Sequence, residues 1–411
     1  MIIIHDMTSL PRLLHTALAS ALAAHPVVVL TGARQTGKST LAQGLEPMDH
    51  RLYLTLDDLD VLEQATTDAA SVLTRAPRVT IDEVQRAPSL LLAIKRLVDR
   101  RRIRGQYLLT GSANLLLMQR VSESLAGRAT HLTLWPMTRR EQLGLGRGGL
   151  WPELLAAKDR EWLELTSSQR AIPGDWRTLA RRGGYPTSAL ELDDDAQRAT
   201  WFAGYVRTYL ERDVANVSSV SNLPDLRRLM RAACLRLGQL LNQTELGRDV
   251  ALPQPTVHRW LNLLEMSYQL VRVPAYAVNR TKRVIKTPKL YWADTGLAHH
   301  IAQNDTLTGA HLENLVLSDL LAWRDSHPRA AEVMYWRTAS GEEVDFVIEA
   351  GDAVIPIEVK ATKRPTAKDA RHLVSFRLEH PRSRAALLLH DGDVVEWIAS
   401  GVLSAPWWRI L

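Results

Sequence analysis

Cysteine is all but missing: Cys234 is the only one among 411 residues. That excludes a disulfide within the chain and any zinc site built on several thiolates, and a reducing, cytoplasmic setting fits best. Phenylalanine is scarce as well, three against twelve tryptophans, so indoles supply the large apolar side chains. Their commoner use is core packing, and their second is anchoring a protein partner. No apolar run is long enough to span a bilayer, so no membrane role is expected. No segment repeats and none is of low complexity. One stretch, LLHTALASALAA after Arg12, could pass for a secretion signal. It leads straight into the first strand of a nucleotide-binding unit, which cleavage would leave without a clean start, so it reads as an amphipathic helix of the fold. A strong charge of one sign is also absent. The formal net charge of +6 suits a solvated basic surface as well as it suits local basic patches.

What is present is an ordinary globular mixture, 46% apolar and 23% charged, which sets the chain apart from disordered sequences. Its length allows two to four domains of the usual size. Residues 27–134 alternate short β-branched runs with helical patterns, the signature of a parallel α/β sheet. Strands are expected at 27–31, 51–56, 78–82, 106–111 and 130–134, with helices between them, for example at 38–45 and 89–100. Residues 144–184, rich in Gly, Pro and Trp, read as a connector with small helical pieces. Residues 196–265 read as helical, and from about 305 the pattern runs helix, hairpin, helix, hairpin.

The first chemical motif is GARQTGKS at 32–39, a full match to G-x-x-x-x-G-K-[ST] between a strand and a helix. Gly32 and Gly37 let backbone N–H groups curl around phosphate oxygens, and the helix N-terminus adds its positive end. Gly32, Ala33, Arg34, Gln35, Thr36, Gly37, Lys38, Ser39 and Thr40 form the expected ATP cradle. Lys38 reaches the β- and γ-phosphates, and Ser39 offers its hydroxyl to Mg²⁺. RVTIDE at 78–83 is a strand ending in two carboxylates. Asp82 can hold the same Mg²⁺, and Glu83 can polarise the attacking water. QYLLTGSAN at 106–114 is a buried strand with a polar end, where Ser112, Thr110 or Asn114 could sense the γ-phosphate. The competing reading is a simple helix cap at Ser-Ala-Asn. Arg128, in SLAGRA, stands where an arginine can be presented to a neighbouring subunit's γ-phosphate, or is one surface arginine among many.

Together GARQTGKST, TIDEVQRAP, LLTGSAN, SLAGRA and LTLWPMT, with RRGGYP at 181–186 and YVRTYLERDV at 205–214, resemble a widespread bacterial and archaeal family of AAA-type ATPases. Its members carry an additional C-terminal domain of largely unassigned function. The resemblance spans nearly the whole chain. It implies an ASCE-type P-loop ATPase with a parallel five-stranded sheet, ATP and Mg²⁺ as cofactors, Glu83 as catalytic carboxylate, and a homo-oligomeric ring with Arg128 acting in trans. The loop reads Gly-Ala-Arg-Gln where the family often has Gly-Pro-Arg-Gln, which alters stiffness and none of the chemistry.

Residues 241–266 have helix-turn-helix spacing. Thr244 is the expected cap of a short first helix, and Pro255 suits the start of the second. Val257, Leu261, Leu264 and Trp260 make the apolar stripe. Thr256, His258, Arg259 and Asn262 are left toward solvent, able to face a DNA groove. A strand and then NRTKRVIKTPK at 279–289 follow. With Arg280, Lys282, Arg283, Lys286 and Lys289 and no acid, this segment reads as a basic wing against phosphates. Many such winged helices pack protein instead. A core, a lid and a winged helix in that order also resemble branch-migration motors, by analogy alone.

The last feature is GEEVDFVIEAGDAVIPIEVKATK at 341–363. If Glu349 pairs with Val354, Asp345 lies opposite Glu358 and Glu343 opposite Lys360, all on one face of the hairpin. Facing carboxylates need a compensating cation, and a divalent metal held by Asp345, Glu358 and Glu313 beside Lys360 would serve. The segment resembles the PD-(D/E)xK nuclease superfamily, which implies Mg²⁺ on those carboxylates. The alternative is a nuclease-like fold kept for packing, with an ordinary ion-pair ladder. The expected division is a P-loop AAA-type domain at 1–143, a helical lid or connector at 144–224, a winged helix at 225–300 and an α+β PD-(D/E)xK-like domain at 301–411. Three functions follow: an oligomeric ATPase acting on DNA as motor or remodeller, an ATP-gated Mg²⁺-dependent nuclease of a defence or toxin module, and an ATP-dependent switch binding a protein partner.

Overall fold

The structure, a computed structural model, describes residues 10–45, 50–111, 125–169, 172–210, 222–279, 283 and 286–411. The chain divides into two compact units, Met1–Arg147 and Gly148–Leu411. Among the described residues, no helix is long and apolar enough to cross a membrane.

The first unit is built on a five-stranded parallel sheet. Strands β1 (Val27–Thr31), β2 (Leu52–Thr55), β3 (Val79–Asp82), β4 (Tyr107–Thr110) and β5 (Ala129–Thr133) lie in the order β2-β3-β4-β1-β5, all parallel. β1 reads VVVLT and is buried throughout, as expected of a strand covered on both faces. Its alternate side chains feed two cores. Val27 and Val29 pack with Ile81, Leu109 and the helix α5 (Ser89–Arg100). Val28 and Leu30 pack with Leu108 and with Leu14, Leu18 and Leu22 of α1 (Leu14–Ala24). The segment that could have passed for a secretion signal is therefore a core helix. The unit also contains α2 (Lys38–Gln43), α3 (Leu59–Thr67) and α4 (Ala69–Leu73).

The second unit begins with short helices, including α6 (Trp176–Arg182) and α7 (Asp195–Tyr205). It continues through α8 (Leu223–Cys234), the pair α9 (Gln243–Asp249) and α10 (Gln254–Met266), and the ribbon β6 (Leu270–Val273) and β7 (Lys289–Trp292). Asn242, not Thr244, caps α9, its side chain accepting from the Glu245 N–H. Pro255 sits in the first turn of α10, whose buried stripe is Val257, Trp260, Leu261, Leu263 and Leu264. After α11 (Thr295–Ala302) and α12 (Gly309–Ser326) comes a six-stranded mixed sheet. Its strands are β8 (Ala331–Arg337), β9 (Glu343–Ala350), β10 (Ala353–Lys360), β11 (Ala386–His390), β12 (Glu396–Ala399) and β13 (Val402–Pro406), in the order β12-β13-β11-β10-β9-β8. One face packs on Leu373 and Phe376 of α13 (Arg371–Glu379).

The RRGGYP motif is a buried joint. Asp294 caps α11 by accepting from the Leu297 N–H at 2.8 Å, and it also accepts from the Gly184 N–H at 2.6 Å. A Cβ on Gly183, where φ is +68°, would lie 2.5 Å from an Asp294 carboxylate oxygen. No side chain fits there. Tyr205 of the second motif is buried against Tyr185, hydroxyl to hydroxyl at 3.1 Å; residues 211–214 of that motif lie outside the described residues.

Candidate functional site

The P-loop follows β1 and opens α2. At Gly32, φ is +143°, and a Cβ would meet the Leu134 carbonyl oxygen at 2.3 Å. The loop passes so close to β5's continuation that only glycine fits. Arg12 clamps the same region, donating to the Thr36 carbonyl at 2.7 Å, to the Trp135 carbonyl at 2.8 Å and to Glu141 at 3.0 Å. Glu141 also completes a capping box with Thr138, so the LTLWPMT segment helps to hold the loop. Arg12 was not singled out from the sequence, because its partners lie as far as 129 positions away.

Lys38 is 6% exposed and donates to the Ala33 carbonyl at 2.6 Å and the Gly32 carbonyl at 3.2 Å. The ammonium thus holds the loop closed on itself through carbonyls that phosphate oxygens can replace. Burial pushes Lys38 down to about 8, against the opposing pull of Glu83 and Asp82. That coupling places Lys38 near both acids. Of the remaining loop residues, Ala33 and Thr36 are buried, Arg34 and Ser39 half-buried, and Gln35 and Thr40 exposed.

Asp82 ends β3 and is enclosed by donors. Tyr53 of β2 donates to it at 2.6 Å, and the Thr110 hydroxyl of β4 donates to its other oxygen. Ser39 also lies close enough to the Tyr53 hydroxyl to influence its ionisation. The Tyr53 hydroxyl therefore lies between the two groups expected to hold Mg²⁺. Asp82 and Ser39 are oxygen donors of the kind Mg²⁺ takes, so these residues fit that ion. Tyr53 was missed in the sequence, since nothing local marks a strand tyrosine as facing an acid 29 positions away. Of the three sensor candidates, Thr110 is the one within the described residues, and it touches Asp82; Ser112 and Asn114 lie outside them.

Glu83 follows at φ +56°, a left-handed conformation costly for a non-glycine residue, on the order of 1–3 kcal/mol. Its carboxylate accepts from Gln85. Burial and the charge of Asp82 raise its pKa. The Arg128 side chain forms a two-point ion pair with Asp99 of its own chain, at 2.6 and 2.9 Å. In this state it is engaged within its own chain.

In the second unit, His258 and Arg259 are exposed and Thr256 half-buried on α10. His258 is held between Gln243 and Asn262, at 3.1 Å from each. The basic wing needs correction. Arg283 pairs with Glu332 at 2.9 Å and Glu349 at 2.6 Å, which commits it to the β8–β9 edge. Lys289 belongs to β7 and is 2% exposed. Lys286 is exposed, and Arg280 and Lys282 lie outside the described residues.

The C-terminal hairpin has the register expected from the sequence, with Glu349 opposite Val354 and Ile357 opposite Phe346, so Asp345 comes next beside Glu358. Its chemistry differs from the expectation. Among the described residues no group of three or more His, Cys, Asp or Glu side chains is arranged to hold a metal ion. Lys289 enters the acidic face instead, 2.5 Å from Glu343 and 3.3 Å from Asp345. Lys360 pairs with Glu358 at 2.5 Å, and Glu313 accepts from Tyr291 at 3.1 Å. Burial works against the charge on Lys289, but Asp345, Glu313 and Glu343 outweigh it and hold it protonated. Burial, then the charge of Asp345, raises both Glu313 and Glu358. One Glu358 oxygen is buried without a hydrogen-bond partner. Asp345, Glu358 and Glu313 are thus not gathered as a metal-ligand group among the described residues, Asp345 being paired with the Lys289 ammonium. Lys289 had been read as part of the wing; a strand partner 56 positions away carries no local signal.

Three known families match the chain in succession: an AAA domain at residues 24–143, a domain of unknown function (DUF8612) at 173–308 and a domain of unknown function (DUF4143) at 308–410. An uncharacterized protein of Mycobacterium tuberculosis is 30% identical over 402 residues, covering 96% of this chain and 83% of its own length. An uncharacterized protein of Haemophilus influenzae is 22% identical over 359 residues, 81% of this chain and 82% of its own. Among solved structures, the Walker-type ATPase of Pyrococcus abyssi aligns with a TM-score of 0.42 at 17% identity, covering 70% of this chain and 94% of that one.

Proposed function

The chain belongs to the family of its Mycobacterium tuberculosis relative, AAA-domain ATPases with a C-terminal domain of unknown function, and from there we propose that it hydrolyses ATP at the Lys38–Asp82–Glu83 cleft and couples turnover to DNA. The observation that carries the hydrolytic part is the sheet order, in which β4 lies between the P-loop strand and the acidic strand, with Asp82 and Glu83 near enough to Lys38 to act on its charge. That insertion brings the Thr110 hydroxyl onto Asp82.

The chemistry follows from what each group does. Phosphate oxygens replace the Gly32 and Ala33 carbonyls on the Lys38 ammonium. Ser39 and Asp82 hold Mg²⁺, which neutralises phosphate charge when bound. Glu83, released from Gln85, polarises the attacking water and takes up its proton. Thr110 orients Asp82. Arg128, once it leaves Asp99, is the group a neighbouring copy lends to the transition state, which makes the working form an oligomer.

The DNA part rests on the exposed His258 and Arg259 of α10, the second helix of a helix-turn-helix pair followed by a two-stranded ribbon. Steady-state hydrolysis with Mg²⁺, with and without duplex, single-stranded and branched DNA, tests both parts. Stimulation by one DNA form that disappears in Glu83→Gln is the expected result. Turnover indifferent to every DNA form at low salt removes the DNA part and leaves an ATPase whose partner is a protein.

A further inference from the structure

A cavity of about 410 Å³ opens in the helical part of the second unit. Its rim carries Arg207, from the turn that follows α7, and Arg227, Arg228 and Arg231 of α8. Its floor includes the buried Met230 and Ile301. Residues 227 and 231 are one helical turn apart, and 228 and 231 three positions apart, so the three α8 guanidinium groups crowd one side of the helix. No carboxylate is among the described residues lining the cavity. The acid nearest in sequence, Asp225, pairs with Arg228. Arg231 donates one N–H to the Ala302 carbonyl at 3.2 Å, which ties the rim to the end of α11. Four arginine side chains around one opening, one of them shared with Asp225, concentrate positive charge that a multivalent anion offsets.

We propose that this cavity is a second phosphate site, apart from the P-loop, which takes a phosphate-bearing ligand through the arginine rim and seats an apolar part of it on the Met230–Ile301 floor. Guanidinium groups bind phosphate oxygens in pairs of parallel hydrogen bonds, and arginine outperforms lysine in that role. The volume lies within the range that holds a small ligand and suits one nucleotide. A nucleic-acid backbone and a free phosphate ester present the same chemistry. An adjoining cavity of about 370 Å³ shares His300 and Gln303 with the first and adds Arg181 and Arg198. There Asp195 and Asp305 balance the two arginines, and Arg198 pairs with Asp195 at 3.0 Å, so the anion-binding character is confined to the first cavity. The proposal stands whether or not ATP turnover responds to DNA.

The test uses the full chain carrying Lys38→Ala, so that phosphate uptake at the P-loop is weakened in every form compared. Two probes are titrated: a fluorescent oligothymidylate, followed by anisotropy across a salt series, and inorganic pyrophosphate, followed by calorimetry. Arg207→Ala with Arg227→Ala, both on exposed residues, is expected to weaken binding at least about tenfold. For the oligonucleotide it also lowers the salt slope by roughly 0.7 per lost contact. Arg207→Lys with Arg227→Lys retains most of that slope, while Arg382→Ala, an exposed arginine elsewhere, changes nothing. Loss of both probes assigns the site to a nucleic-acid backbone, and loss of pyrophosphate alone assigns it to a small phosphate ester. Binding unchanged by the double substitution, or weakened as much by Arg382→Ala, overturns the proposal. An oligonucleotide that binds no form of the protein counts against DNA coupling, while the pyrophosphate titration still decides the site.

Discussion

The P-loop cleft and the C-terminal acidic face each contain carboxylates gathered where a divalent cation could sit, and each has an internal group standing at that place. In the cleft it is the Tyr53 hydroxyl, between Ser39 and Asp82. On the hairpin it is the Lys289 ammonium, among Glu343 and Asp345. The difference lies in charge. A neutral hydroxyl leaves the negative charge of Asp82 in place and can yield to Mg²⁺ at the cost of one hydrogen bond. A buried ammonium already offsets charge on Glu343 and Asp345, and withdrawing it strands charge in a poorly solvated interior. The first arrangement can exchange ligands; in the second, Asp345 is held by a buried ammonium. Two acids therefore support chemistry in one unit, while a larger acidic set is held by lysines in the other.

The comparison can be broken first at Lys289. Lys289→Met leaves Asp345 without its buried partner and is expected to destabilise the second unit by about 3–5 kcal/mol in denaturant melts, with part of the loss recovered on adding Asp345→Asn. If Mg²⁺ without nucleotide stabilises the unaltered protein, and Glu358→Gln abolishes the effect, the acidic face already takes a metal and the contrast fails. Next comes Glu83→Gln, which is expected to lower ATP turnover about 10²–10⁴-fold while fluorescent-nucleotide titrations show binding preserved. Turnover within a few-fold of the parent would mean that another group activates the water.

A smaller effect is expected from pH. Lys38 has a pKa lowered to about 8 in the nucleotide-free loop, and bound phosphates raise it. Binding therefore takes up a proton above that pH, and ATP affinity is complete below it and falls roughly tenfold per unit above it. Calorimetry in buffers of different ionisation enthalpy reads that uptake directly. The smallest effect is expected from Tyr53→Phe. Losing one competing hydrogen bond of the order of 1 kcal/mol shifts half-maximal Mg²⁺ for turnover downward by about two- to fivefold, whereas a requirement for higher Mg²⁺ would make the hydroxyl a helper of the ion.

The P-loop was legible in advance because everything it needs is contiguous: a buried β-branched strand, glycine at 32, a lysine at the helix start. The hairpin register was legible for a similar reason, since a period of two and a short turn leave one pairing that keeps Val344, Phe346 and Ile348 together. The wing was misread where charge was taken for exposure. Arg283 and Lys289 are as basic as Lys286, yet only contacts with Glu332, Glu349, Glu343 and Asp345 show that they are used up within the fold. The role of Gly183 stayed hidden for the same reason, because the Asp294 oxygen that excludes a side chain there comes from 111 residues further along.

By itself the sequence determined the elements, their faces and the phosphate loop, because backbone periodicity and turn geometry are set within a few residues. Which charges meet was decided only by the tertiary structure. A carboxylate's role depends on the cation or hydroxyl that packs against it, and such partners here arrive from strands tens of positions away.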